Sequence, residues 1–227
     1  YTFANPGSCG GYWIQSTNTD GTYTSTSGHG DHPVTEVNWR DAVVWCNALT
    51  EYYNAYHGAN YDCAYKSGGV PIRDSQNNTN VIDNLTDDGH TATGFRLPTS
   101  AEWYLAARYI DGSNWTPDDY ASGATAACTD AAATQAVAWY WDNCNVPDSD
   151  IYTTHPVGQK SPNALGIYDM SGNVCEWCFD TDGTGGRLQR GGSWGNDSGL
   201  VTVNALFLGN HTFDFSYSTG FRPVRTK

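Results

Sequence analysis

The chain has 227 residues, enough for one large domain with a core of its own, and no Pro/Ser-rich linker or charge block divides it. Lys and Arg number 11 against 24 Asp and Glu, a formal net charge of -13 with the acidic residues scattered. Such a surface repels phosphate backbones and anionic membranes, so nucleic acid is excluded as an expected partner. No apolar run approaches the roughly 18 residues that cross a bilayer, so membrane insertion is not expected; the opening YTFANPGSCGGYW has neither a basic nor an apolar signal region.

Only 15% of residues are charged, while Gly, Asn, Ser, Thr and aromatics abound, nine Trp and fifteen Tyr among them. That composition predicts a loop-rich fold pinned by aromatic packing and side-chain hydrogen bonds. In WRDAVVWCNALTEYYNAY, the residues Ala42, Val43, Cys46, Leu49, Tyr53 and Tyr56 recur at spacings of three and four, which predicts a helix with one apolar stripe, closed by Gly58. GFRLP at Gly94 reads as a strand stopped by Pro98. Thr99 and Glu102 then have the spacing of a capping box, and Trp103, Ala106, Ala107 and Ile110 supply the buried face of a second helix ending at Gly112. Further short strands are predicted at VAWYW (Val137), VCEWCF (Val174), RLQRGGSW (Arg187) and TGFRPVR (Thr219), each bounded by turn residues. Strands and helices do not alternate as βαβ units, so the class is α+β, a small sheet with two helices and a loop-heavy periphery.

Seven cysteines are present, and Cys175-x-x-Cys178 stands without a second pair or suitable histidines, so zinc is not indicated. The cysteines read either as buried small hydrophobes or as partners in disulfides. The six histidines (His29, His32, His57, His90, His155, His211) do not fall at ligand spacings, and His29 and His32 fit a glycine-flanked loop.

The ordered series HPVTEVNWRDAVVWCNAL, GFRLPTSAEWYLAAR, PNALGIYDMSGNVCEW, RGGSW and GFRPVR resembles the formylglycine-generating enzyme (sulfatase-modifying factor) family, from about His32 to Arg225. The resemblance implies a variant of the C-type lectin fold, with two helices around a small twisted mixed sheet. The stretch before PVTEVNW does not match the family's N-terminal strands.

Members of that family that oxidise cysteine use two cysteines between GGS and GFR as copper ligands, a chemistry suited to soft thiolates. Here that segment holds no cysteine, so no copper is expected and the domain is read as non-catalytic. The three-histidine iron site of related sulfoxide synthases belongs to a separate helical domain absent here, and the EPN or QPD tripeptides of calcium-dependent sugar binding do not occur. The segment DMSGNVCEW matches a calcium site of the family, and the carry-over makes Asp169, Gly172, Val174 and Glu176 the ligands of a structural calcium ion, a hard-oxygen set. The same two carboxylates also fit a turn cap and a buried hydrogen bond.

RGGSW and GFR enclose a segment without catalytic pattern. In this the chain most resembles the variable proteins of diversity-generating retroelements, whose C-terminal segment is rewritten when a reverse transcriptase miscopies adenines, leaving NNY codons that cannot encode Lys, Glu, Gln, Met or Trp. None of those five occurs from Gly195 to Phe221. Aromatics beside Asn, Asp, His and Ser form the adaptable composition of a contact surface. The expected contact residues are Asn196, Asp197, Asn204, Leu206, Leu208, Asn210, His211, Phe213, Phe215 and Tyr217, with Trp194 and Phe221 as buried anchors. The alternative for LVTVNALFL is core strand, and for FDFSYS an edge strand with its aromatics inward. The resemblance implies a surface-displayed, secreted or virion-associated protein that binds a protein or cell-surface target. The alternative function is a metal- or oxygen-dependent modifying enzyme with a displaced active site.

Overall fold

Two capping boxes start the two long helices. The computed structural model describes residues 1–5, 7–9, 11–14, 23–25, 30–147 and 151–226. Helix α1 runs over Trp39–His57; the Asn38 side chain accepts from Asp41 N at 2.9 Å, and Asp41 answers the Asn38 amide at 3.2 Å. Gly58 closes it in the left-handed region at φ 64°, open to a glycine without steric cost. Two short helices, α2 (Thr79–Asp83) and α4 (Ala131–Gln135), flank α3 (Ser100–Arg108), where Thr99 and Glu102 form the second reciprocal box.

The strands are brief: β1 Ser8–Cys9, β2 Gly11–Ile14, β3 Tyr23–Ser25, β4 Val34–Thr35, β5 Lys66–Ser67, β6 Val70–Pro71, β7 Phe95–Arg96, β8 Ile151–Thr153, β9 Cys175–Thr181, β10 Arg187–Arg190, β11 Leu206–Asn210, β12 Thr219–Phe221 and β13 Val224–Arg225. The largest sheet has the order β11-β10-β9-β12, antiparallel except for β12 beside β9. Small pairings β1-β4, β13-β7, β3-β2-β8 and β5-β6 surround it. This mixed α+β arrangement is the C-type lectin fold of the formylglycine-generating type.

The core is built on indoles. Trp39, Trp103, Trp177 and Trp194 are the four buried tryptophans among the described residues. Trp39 Nε1 donates to Cys178 O at 2.9 Å, Trp177 Nε1 to Val37 O at 3.0 Å, and Trp103 Nε1 to Glu176 Oε2 at 2.7 Å. Each bond ties a loop or helix to β9, so apolar burial and backbone satisfaction are achieved by the same side chain. Trp39 also packs on Phe179 and lies 3.7 Å from the Arg187 guanidinium.

Several expectations are corrected. Tyr56 is exposed instead of joining the α1 stripe; Trp39, Val44, Asn47 and Thr50 are buried there. Helix α3 ends at Arg108, not Gly112, because Tyr109 turns extended (ψ 132°) and bridges to Trp115, which leaves Ile110 exposed. VAWYW is not a strand. Its amides are spent on turns, Ala138 N on Thr134 O and Tyr140 N on Asn143 Oδ1, and only Trp139 makes a bridge, to Gly172. Among the described residues no helix is long and apolar enough to cross a membrane.

Candidate functional site

The two phrases that bracket the variable segment are rigid for identifiable reasons. Strand β10 leads into Gly191 and Gly192, both at positive φ, and a Cβ at Gly192 would collide with the Leu200 carbonyl. Trp194 follows, its amide bonded to Asn173 O at 3.0 Å and its carbonyl reached by the Cys144 thiol. At the far end, β12 enters the main sheet beside β9, with Thr219 opposite Cys175 and Phe221 opposite Trp177. Phe221 is only half-buried, packed at the margin of the α1 core cluster, which corrects its assignment as a fully buried anchor.

Between these ends the segment divides into three parts. The first is a turn: Asn196 Oδ1 accepts from both the amide and the hydroxyl of Ser193, and Asn196 O accepts from Trp141 N at 2.9 Å. Asp197 caps the single 3-10 turn Ser198–Leu200 through Gly199 N. Asn196 and Asp197 therefore hold backbone as well as reaching solvent, and the expectation that Asn196 can be changed at little cost is corrected.

The second part, Val201–Ala205, is core apart from exposed Asn204, and buries Val201, Thr202, Val203 and Ala205. The inward reading of LVTVNALFL thus holds for its first half. Leu206 and Leu208 on the edge strand β11 then turn outward, 42% and 62% exposed, with Asn210 half-buried at its end.

The third part is a loop laid along the start of α1. Its backbone is fixed by Arg40 N to Thr212 O, Glu36 N to Ser216 O and Cys175 N to Ser218 O, with Thr212 buried. Every second side chain faces away: Phe213 is 55% exposed, Phe215 57% and Tyr217 38%, and His211 is exposed beside Phe213, their rings stacked at 5.2 Å. FDFSYS keeps the alternation of a strand without being one, and its aromatics share the solvent side. Exposed Leu206, Leu208, Phe213, Phe215 and Tyr217 all belong to this one segment. Where it meets the RGGSW turn, a cavity of about 320 Å³ is lined by Trp141, Ser193, Trp194, Gly195, Asn196, Tyr217 and Ser218.

The positions matched to a calcium site lie elsewhere, on the far approach to β9. Glu176 is buried, and both its oxygens are engaged: Arg222 Nη2 reaches Oε1 at 2.6 Å, Arg222 Nε lies 3.0 Å from Oε2, and Trp103 adds its indole. Asp169 sits at φ 55°, with Oδ2 accepting from Gly158 N at 2.7 Å and Oδ1 buried without a donor. Burial raises the Asp169 carboxyl above its ordinary pKa, with Glu176 adding to the effect against the opposing influence of Gly158, Arg222 and Lys160. Gly172 is locked by Gly191 O, and Val174 is buried. Asp169 Oδ1 is the atom of this set that fits a hard cation, which would take Glu176 only by displacing Arg222.

The thiols offer no redox pair to the segment. Six described cysteines are free; burial pushes Cys144 and Cys175 up to about 12 and Cys178 well above the ordinary range, so they are protonated at neutral pH. Among the described residues the one compact group of three metal-type side chains is Asp87, Asp88 and His90, where the Asp88 carboxylate already accepts from the His90 ring and amide. His29, paired with His32 in the sequence reading, lies outside the described residues; His32 Nδ1 meets Thr154 Oγ1 at 2.8 Å.

Three comparisons bear on this geometry. The chain is 33% identical over 225 residues to the chaperone protein LppX of Paenibacillus barcinonensis, covering 87% of this chain and 71% of that one. It is 28% identical over 222 residues to the formylglycine-generating enzyme of Thermomonospora curvata, where it spans 63% of the relative's length and 86% of its own. The solved structure of Treponema denticola variable protein 1 superposes with a TM-score of 0.64 over the whole of this chain and 94% of that one, at 24% identity. The fold is thus shared by enzymes and by a variable protein. Residues 8–227 match the family described as sulfatase-modifying factor enzyme 1-like domain, and the chain belongs to that family.

Proposed function

We propose that this domain is a non-catalytic binding module that recognises a protein or cell-surface target through the segment from Asn196 to Tyr217, in the manner of a variable protein of a diversity-generating retroelement. The observation that carries the reading is the outward set Leu206, Leu208, Phe213, Phe215 and Tyr217, held by a backbone whose hydrogen bonds come from Glu36, Arg40 and Cys175 in the frame. A soluble domain has no folding reason to gather large apolar side chains in water on one segment, and such patches mark interaction sites. Aromatics give large contact area at low entropic cost, and Asn204, Asn210 and His211 add adaptable hydrogen bonding. The frame supplies the bonds, so side-chain identity is free to change.

The test is a display library in which Asn204, Leu206, Leu208, Asn210, His211, Phe213, Phe215 and Tyr217 are randomised with NNY codons. Most members should fold, judged by protease resistance, and selection against an arbitrary protein such as lysozyme should return binders. Loss of folding in most members would assign these positions to the core and end the reading.

A further inference from the structure

Trp194 breaks the pattern set by the other buried tryptophans. Trp39, Trp103 and Trp177 each spend the indole N–H on an acceptor, whereas Trp194 Nε1 is buried and has no partner, although the residue is only 2% exposed. An unpaired buried donor costs about 1–3 kcal/mol, so a fold that places one in a cavity wall does so at a loss unless something else accepts the proton. Trp194 forms part of the wall of the 320 Å³ cavity described above.

A second donor stands in the same wall. Asn196 Oδ1 is tied to the Ser193 amide and hydroxyl at 2.8 and 2.9 Å, which fixes the orientation of its carboxamide and leaves Nδ2 as the group without a protein acceptor among the described residues. The remaining walls are the rings of Trp141 and Tyr217, the Gly195 backbone and the hydroxyls of Ser193 and Ser218. No charged side chain lines the cavity. An ionised ligand group would lose its hydration without a counter-charge, and a purely aliphatic one would bury two donors unpaired; both are disfavoured. The volume is at the low end of small-molecule pockets, ~300 Å³, and suits a side-chain-sized group between aromatic walls.

We propose that this cavity is the anchoring pocket of the contact surface and takes an uncharged carboxamide of a protein ligand. The ligand's carbonyl oxygen accepts from Trp194 Nε1 and the Asn196 amide, and its N–H₂ faces the serine hydroxyls. This rests on the binding-module reading and adds the chemistry that the surface recognises first.

The experiment uses indole-¹⁵N-labelled protein and three probes with a common backbone, the N-acetyl methylamides of glutamine, glutamate and leucine. The Trp194 indole resonance is identified by its loss in W194F. The glutamine probe should shift that resonance saturably, with a Kd at least tenfold below those of the glutamate and leucine probes, and N196A should reduce the preference. If W194F or N196A fails to fold, the wild-type probe series still decides. A Trp194 resonance unmoved by any probe, or moved equally by all three, overturns the proposal and leaves a trapped water as the partner of the indole. The surface reading is judged separately: a library that folds and yields binders while the pocket stays silent rejects the pocket alone, and a responsive pocket with a library that does not fold rejects the surface alone.

Discussion

At the scale of single residues, the frame and the segment it carries obey different energetics. Trp194→Ala empties a buried indole site and should cost roughly 3–5 kcal/mol, the range for large-to-small changes at core aromatics. Phe213→Ala and Phe215→Ala remove side chains already more than half in water and should stay within about 0.5 kcal/mol. Half-buried Phe221 belongs between them, at about 1–3 kcal/mol. Urea unfolding of the four variants measures the order, and a cost at Phe213 matching that at Trp194 would contradict it.

Asp169 provides a pH test at the same scale. Its folded-state pKa is raised, so the native state holds the proton more tightly than the unfolded chain does, and stability is greatest below the unfolded value and falls as pH rises through the folded one. Asp169→Asn should therefore raise the melting temperature at pH 7 and make no difference near pH 3, in buffers containing EDTA. Millimolar calcium should reverse the order at pH 7, raising the melt of the wild type through binding at Asp169 Oδ1 and leaving the Asn variant unmoved. Calcium without effect on either melt would remove the ion from the account.

Elements come next, and here the helix N-termini carry the argument. Asn38 and Thr99 are followed three residues later by Asp41 and Glu102, and both pairs close as reciprocal caps. The two caps differ in what else they hold. Glu102 takes a bidentate ion pair from Arg96, which lowers its carboxyl to about 2. Asp41 accepts from the amides of Ala4 and Asn5, the Asn5 side chain and Ser75 Oγ, so it fastens the N-terminal stretch to α1. Asn38→Ala should cost about 1 kcal/mol, the usual price of a lost cap. Asp41→Ala should cost several-fold more, because it strips the acceptor from four further donors. Thermal melts of the two variants compare them directly, and equal losses would mean that the N-terminal ties are weak.

The whole molecule sets the chemistry it can perform. Its family includes formylglycine-generating enzymes, but the segment from Gly195 to Phe221 carries no thiol, and the buried cysteines of β9 are held protonated by desolvation. Incubation with Cu(I) and a sulfatase-type cysteine peptide should give no aldehyde by mass spectrometry above a metal-only control, since soft thiolate ligands are missing where the fold would present them. Turnover would move the protein to the enzymatic side of the family.

Much of this was legible in the sequence, because caps, turn glycines and alternating strands are local. Asn38-Trp-Arg-Asp41 and Thr99-Ser-Ala-Glu102 determine where helices begin, RLQR and CEWCF determine paired strands, and the lack of cysteine between RGGSW and GFR is complete in one dimension. What lies opposite a residue is not local. VTV and FDF have similar alternation, yet Val201 and Val203 are roofed by neighbouring core while Phe213 and Phe215 run along the rim of α1 with nothing above them. The same holds at Glu176, legible as a ligand until Arg222, 46 positions away, is folded onto it, and at Trp194, whose unspent N–H exists only once three other indoles have found their acceptors. Sequence determined the elements and the missing chemistry; tertiary structure alone decided which side chains meet water, because solvent exposure depends on every segment that packs across a residue and not on its neighbours in the chain.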